Sequence, residues 1–195
     1  SDTFIVWVEM DGLFNELLGG FFEKCSIIFC EALKRKIPLR GTISVGDSIM
    51  DEEKKIFLGK PLVEAAKGET FQNWLGIGLG KSFRAIHTMD TRYILPYTDH
   101  IKKDKEGSCE ILNNYALDWP RWWRENDCGE GYGDINSIIA DMNTDVKFKK
   151  YYEECSRFYE YSKDGDSIWE KKTGIHGVTK QILSDLIEHP IVMDC

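Results

Sequence analysis

The stretch Gly76-Ile-Gly-Leu-Gly-Lys-Ser82 has the residue types of a phosphate-binding loop: glycines that let backbone N–H groups approach an anion, then a Lys and a Ser. The spacing does not follow. The Walker pattern needs its first Gly where Leu75 stands, and the dinucleotide fingerprint needs a Gly where Lys81 stands. These glycines are therefore assigned to close backbone packing at the end of a strand. Trp119, Trp122 and Trp123 bring three indoles into five residues. Indole faces stack nucleic-acid bases without sequence preference, but packing in a core or lid is their commoner use. His87, His100, His176 and His189 lie far apart and lack a partner motif, which speaks against a histidine-based catalyst.

The six cysteines, Cys25, Cys30, Cys109, Cys128, Cys155 and Cys195, form no Cys-x-x-Cys pair and no Cys/His ligand spacing. They read as reduced thiols of a cytosolic protein rather than as a zinc site or disulfide scaffold. The 195 residues, 42% hydrophobic and 12% aromatic, suit one domain with a sizeable core. A net charge of -8 lacks the concentration of Lys and Arg that gripping nucleic-acid phosphates requires, so no nucleic-acid partner is expected. No apolar run reaches membrane-spanning length, and no basic region precedes an apolar one at the start. The expectation is a cytoplasmic protein without membrane attachment. The start inside a strand-like run reads as a piece of a longer protein.

The elements that must position any chemistry follow from periodicity. Thr3 to Val8 reads as a strand, and Asp11-Gly12 opens a helix whose apolar positions Leu13, Leu17, Phe21, Phe22, Ile28, Phe29 and Leu33 recur at helical spacing. Lys34-Arg35-Lys36 and Pro38 end it. Gly41 to Val45 alternates as a strand does, Asp51 to Lys55 is a charged turn, and a short strand ends at Gly59. Pro61 opens a helix to Glu69, and Phe71 to Leu79 is a strand that Ser82 follows as cap of a short helix over Phe83 to His87. Tyr93 to Tyr97 and Ile111 to Trp119 pair as a hairpin, and Gly129 to Gly133 is a flexible connection. Helices at Ile135 to Met142, capped by Asp134, at Asp145 to Tyr161 and at Thr179 to Glu188 complete the chain, with Gly165, Gly174 and Gly177 loosening the last part.

Leu39 to Ser48, Ile56 to Glu69 and Asn73 to Leu79 together resemble the second half of a class III nucleotidyl cyclase catalytic domain. Arg40, Ile43 and Gly46 match the family's Arg-x-x-Ile-x-x-Gly strand, Gly59 its helix entry, and Ala65 and Glu69 its helix. Val63 stands at the family's Asn, Lys67 at its Arg, and Ile56 at the base-selecting position. The resemblance covers about Ser1 to Ser82 and implies a ferredoxin-like α+β palm, a mostly antiparallel sheet covered by helices, in which Thr3 to Val8 neighbours Gly41 to Val45. Residues 1–88 would be the partial catalytic domain, and 89–195 a hairpin and helical extension packed on it as one unit.

The implied activity, in the full-length parent, is that of a lyase converting a nucleoside triphosphate to a cyclic nucleotide and pyrophosphate, with two Mg or Mn ions on paired carboxylates. Asp2 is the implied metal ligand, Asp47 would approach the metal and triphosphate, and Lys67 would be catalytic, offering a point charge where an Arg fork is usual. The family builds its site across a two-fold interface, so a homodimer through the Pro61 to Glu69 helix is implied. A cyclase-like module that binds nucleotide or dimerises without catalysis is the alternative. A diguanylate cyclase would need a Gly-Gly-Asp/Glu-Glu-Phe turn, and the sequence has none.

Overall fold

A computed structural model describes residues 3–9, 14–85, 92–103, 106–143 and 145–173. The architecture is mixed α and β. A four-stranded sheet has the order β1 (Arg40–Ile43), β4 (Gly76–Gly80), β6 (Leu112–Leu117), β5 (Ile94–Pro96), and a separate hairpin pairs β2 (Ser48–Asp51) with β3 (Ile56–Gly59). The helices are α1 (Phe14–Lys34), α2 (Lys60–Thr70), α3 (Ser108–Ile111), α4 (Trp119–Glu125), α5 (Ile135–Met142), α6 (Lys149–Ser162) and α7 (Gly165–Thr173).

Pairing of β1 with β4 is parallel, and those of β4 with β6 and of β5 with β6 are antiparallel. The sheet thus takes two strands from each side of residue 88. The expected hairpin of the second half is present, with Leu95 opposite Ala116. A crossover returns the chain from β1 to its parallel neighbour β4 through α2, as a β-α-β unit must.

The apolar stripe of α1 builds the core. Leu18, Phe22, Cys25, Phe29 and Leu33 are buried at helical spacing, and Phe29 meets Trp119 of α4 at 4.7 Å between ring centres. Trp119 and Trp123 are core residues, so the indole cluster packs rather than offering a stacking face. The C-terminus of α1 closes through Lys36 in the left-handed region (φ 55), with the Ile37 N–H donating to the Ala32 carbonyl at 2.8 Å.

Four segments differ from expectation. Residues 3–9 carry no strand, and β1 has β4 as its neighbour. Phe4 to Val8 remain 37–58% exposed, and Trp7 rests on Phe57 at 5.8 Å. A run of β-branched and aromatic residues favours an extended chain, but a strand exists only where a partner backbone takes its hydrogen bonds. Phe71 to Leu75 precedes β4 as a turn, fastened by Gln72 and Asn73. The helix expected from Asp145 starts at Lys149, because Asp145 caps a preceding 3₁₀ turn by accepting from the Lys147 N–H at 2.9 Å. Gly165 opens α7 instead of loosening the chain; Trp169 is buried there and donates to the Ile94 carbonyl at 3.0 Å. The helix expected at Thr179 to Glu188 lies outside the described residues. Among the described residues no helix is long and apolar enough to cross a membrane.

Candidate functional site

The phosphate-loop look of Gly76 to Gly80 is resolved by its setting, since all five residues are a buried strand. Alternation puts Gly76, Gly78 and Gly80 on one face, and a neighbour lies flat against each. A Cβ would fall 2.5 Å from the Trp74 ring at Gly76 and 2.9 Å from Gln72 Oε1 at Gly78, and would strike the Glu64 carboxylate at Gly80. Close backbone approach is the reason for the glycines.

The main concavity near the expected chemistry lies where the parallel strands β1 and β4 end and α2 begins. Ligands of open α/β sheets characteristically sit at this place, beyond the carboxyl ends of the strands and at a helix N-terminus. The groove measures about 690 Å³ and is lined by Asp47, Ser48, Lys60, Pro61, Glu64 and Ser82, among others. Its geometry is built by side chains that tie the three elements together. Ser44 donates its hydroxyl to the Pro61 carbonyl at 2.6 Å, and the Val45 N–H donates to Ser82 Oγ at 2.9 Å. Ser82 in turn gives its N–H to Glu64 Oε1 at 3.0 Å and its hydroxyl to Glu64 Oε2. Gly59 enters α2 where a Cβ would lie 2.8 Å from the Asp47 carbonyl oxygen and from Ser48 Cβ, so a side chain there would force the groove's rim apart. No side chain caps α2, which leaves its positive dipole end facing the groove beside the exposed Lys60.

Asp47 lines this groove, exposed to solvent. Lys67 does not. It lies in the last turn of α2, exposed, about 10 Å along the helix from Lys60 at 1.5 Å per residue. Val63, one turn before Lys67, is 54% exposed on the same outward face. Asp2 lies outside the described residues. Sequence reasoning missed Glu64 and read Ser82 as a helix cap, whereas its hydroxyl serves Val45 and Glu64; a Glu three residues after Pro61 and a Ser two residues after the glycine run were the available signals.

The two divalent cations implied by the resemblance find no matching donor set. Among the described residues no three Cys, His, Asp or Glu side chains converge. Of the two carboxylates lining the groove, Glu64 has both oxygens committed to Ser82. A small hard cation needs several free oxygens at once, so these residues do not fit a two-ion centre.

The strand and helix motifs that carry the resemblance do meet. Arg40, first residue of β1, donates Nε to Glu69 Oε1 of α2 at 2.6 Å and also pairs with it through Nη2. Its guanidinium lies over the Tyr151 ring, 5.2 Å from the centre. Ile43 is buried in the core. Compared with known proteins, the chain matches no family model, no curated protein and no solved structure.

Proposed function

We propose that this chain is a nucleotidyl cyclase-like module that self-associates through the outward face of α2 and takes a nucleoside triphosphate, with its magnesium as one ligand, in the groove of Asp47 and Lys60. The observation that carries the reading is the face itself. Val63 is 54% exposed, and the neighbouring hairpin exposes Ile49 at 61% and Leu58 at 59%. Exposed apolar side chains gathered on adjoining elements mark an association surface. Lys60 and the uncapped start of α2 suit phosphate oxygens, while Asp47 suits the magnesium that accompanies them.

Conversion of the triphosphate to a cyclic nucleotide and pyrophosphate is the second reading, for a parent protein that supplies a paired metal carboxylate. The Arg40 to Glu69 pair favours it, because it joins the two motifs named by the resemblance. The missing strand at Thr3 to Val8 weighs the other way, so association and binding stand first.

Val63→Asp should weaken self-association at least tenfold in sedimentation, since about 1.4 kcal/mol at an interface is tenfold. Equal dimer content in both proteins would remove α2 as the contact. In calorimetry with magnesium and each nucleoside triphosphate, at least one should bind, and Lys60→Glu should weaken it. No heat with any of them would leave association as the whole function.

A further inference from the structure

The segment from Tyr97 to Lys102 closes over the turn before β4 through a small set of bonds. The Lys102 N–H donates to the Phe71 carbonyl at 2.9 Å, and the Asn73 N–H to the His100 carbonyl at 3.0 Å. The Asn73 side-chain nitrogen reaches the carbonyls of His100 at 2.7 Å and Asp99 at 3.1 Å. Gln72 and Ile101 form an isolated bridge.

Within this closure His100 is completely buried, and neither of its ring nitrogens has a hydrogen-bond partner. Its ring lies 5.1 Å from that of Trp74 and stacks on Tyr97 at 6.0 Å with 12° between planes. A Cβ on Gly78 would stand 3.0 Å from Nε2. Native interiors rarely leave a buried polar side chain unpaired, and such a group calls for an account.

Charge around the ring is sparse. β4 and the Gln72–Trp74 turn contribute Gly78, an amide and an indole, all uncharged. From its own segment comes Asp99. From α6 comes Glu154, but that carboxylate already accepts from the Tyr97 hydroxyl and pairs with Arg157. An imidazolium here would have one opposing charge, Asp99, and only the Tyr97 backbone to offset its desolvation.

We infer that Tyr97–Lys102 is an acid-released latch: a proton taken from solvent onto the His100 imidazole frees the segment from Gln72–Trp74 while the sheet and α1 remain folded. Release displaces Tyr97, Thr98 and Asp99, which form one wall of a cavity of about 320 Å³ closed on its other side by Arg157 and Tyr161. The latch therefore governs that cavity.

Burial pushes the His100 pKa down to about 4 from its ordinary 6.5, against the Tyr97 backbone and the Asp99 charge. Once the segment opens, the ordinary value returns. The closed form, which resists protonation, thus loses ground as pH falls from 6.5 toward 4. Lowering pH from about 7.5 to about 4.5 should raise the opening equilibrium roughly 70-fold.

Amide hydrogen exchange, corrected for the intrinsic effect of pH, reads this at Asn73 and Lys102, whose N–H groups cross the closure, with amides of α1 and β6 as reference. The expected result is excess opening at these two amides in acid, abolished in His100→Phe. His100→Gln, polar and uncharged, serves if the Phe variant does not fold. Three results would overturn the latch: no excess over the reference amides, the same excess in the variants, or simultaneous loss of protection throughout the chain.

Discussion

Gly76→Ala should destabilise the protein by about 3 kcal/mol, the upper end of what overpacking a core costs. The added methyl would stand 2.5 Å from Trp74 Cζ2. Trp74 cannot yield, because it is fully buried and held on every side. Phe158 meets it edge-on at 4.8 Å, Tyr97 lies at 5.7 Å, and its indole N–H donates to Gln72 Oε1 at 2.7 Å. Displacing the ring would also break a network, since the same Gln72 gives its amide N–H to the Gly41 carbonyl and to Thr42 Oγ1, both at 2.8 Å. Gly41→Ala is the control: the nearest atom to its Cβ would be Ile77 Cγ1 at 3.9 Å, an ordinary contact. Urea unfolding of both variants checks the account. Equal midpoints for Gly76→Ala and Gly41→Ala would mean that the glycine face is not a packing device.

That contrast shows what the sequence could and could not reveal. Alternation and near-miss spacing were enough to take Gly76, Gly78 and Gly80 out of phosphate binding and into strand packing. What lies against them was not legible, because Trp74, Gln72, His100 and Glu64 reach the strand from separate turns and a helix. α1, α2, α5 and the β5 to β6 hairpin were readable for the same reason: each carries its own periodicity or its own capping residue. β2 was not, because Ser48 to Asp51 has little apolar pattern and pairs only through the reversal at Glu52 to Lys55. Thr3 to Val8 shows the converse error, strand propensity without a partner strand. At the groove, Asp47 was named through the resemblance alone, since its turn position by itself accounts for an Asp there. The Ser82 to Glu64 clasp was not legible, for it depends on β4 ending beside the second turn of α2. Lys67 was placed by matching a motif position, and a helix of 11 residues is long enough to put that position at the far end from the groove.

Asp118→Asn should change the pH dependence of stability, with a sign opposite to that of His100. Asp118 is 2% exposed and caps α4, accepting from the Arg121 N–H at 3.3 Å and from the Ser162 hydroxyl. Its second oxygen has no hydrogen bond, and the nearest cation, Arg121 Nε, stands 3.6 Å away. Burial therefore prevails over Ser162, Arg121 and Arg124, and raises the carboxyl from 3.8 to about 6. The folded state takes up a proton that the unfolded chain takes up only near 3.8, so protonation stabilises the fold as pH falls from about 6 toward 4. Full separation of the two values corresponds to about 3 kcal/mol. His100 pulls the other way across nearly the same window, so the two groups oppose each other in the wild-type profile. Asn keeps the size and the cap but cannot titrate. Between about pH 7.5 and 4, wild type should gain about 2.4 kcal/mol on the variant, most of the full separation, read as the difference in urea midpoints at matched pH. Glu31, Asp51 and Glu160, each held low by a hydrogen-bonded Lys, titrate in both proteins and cancel in that difference. Parallel profiles for the two proteins would show that Asp118 is charged at no cost, and that Ser162, Arg121 and Arg124 compensate its burial in full.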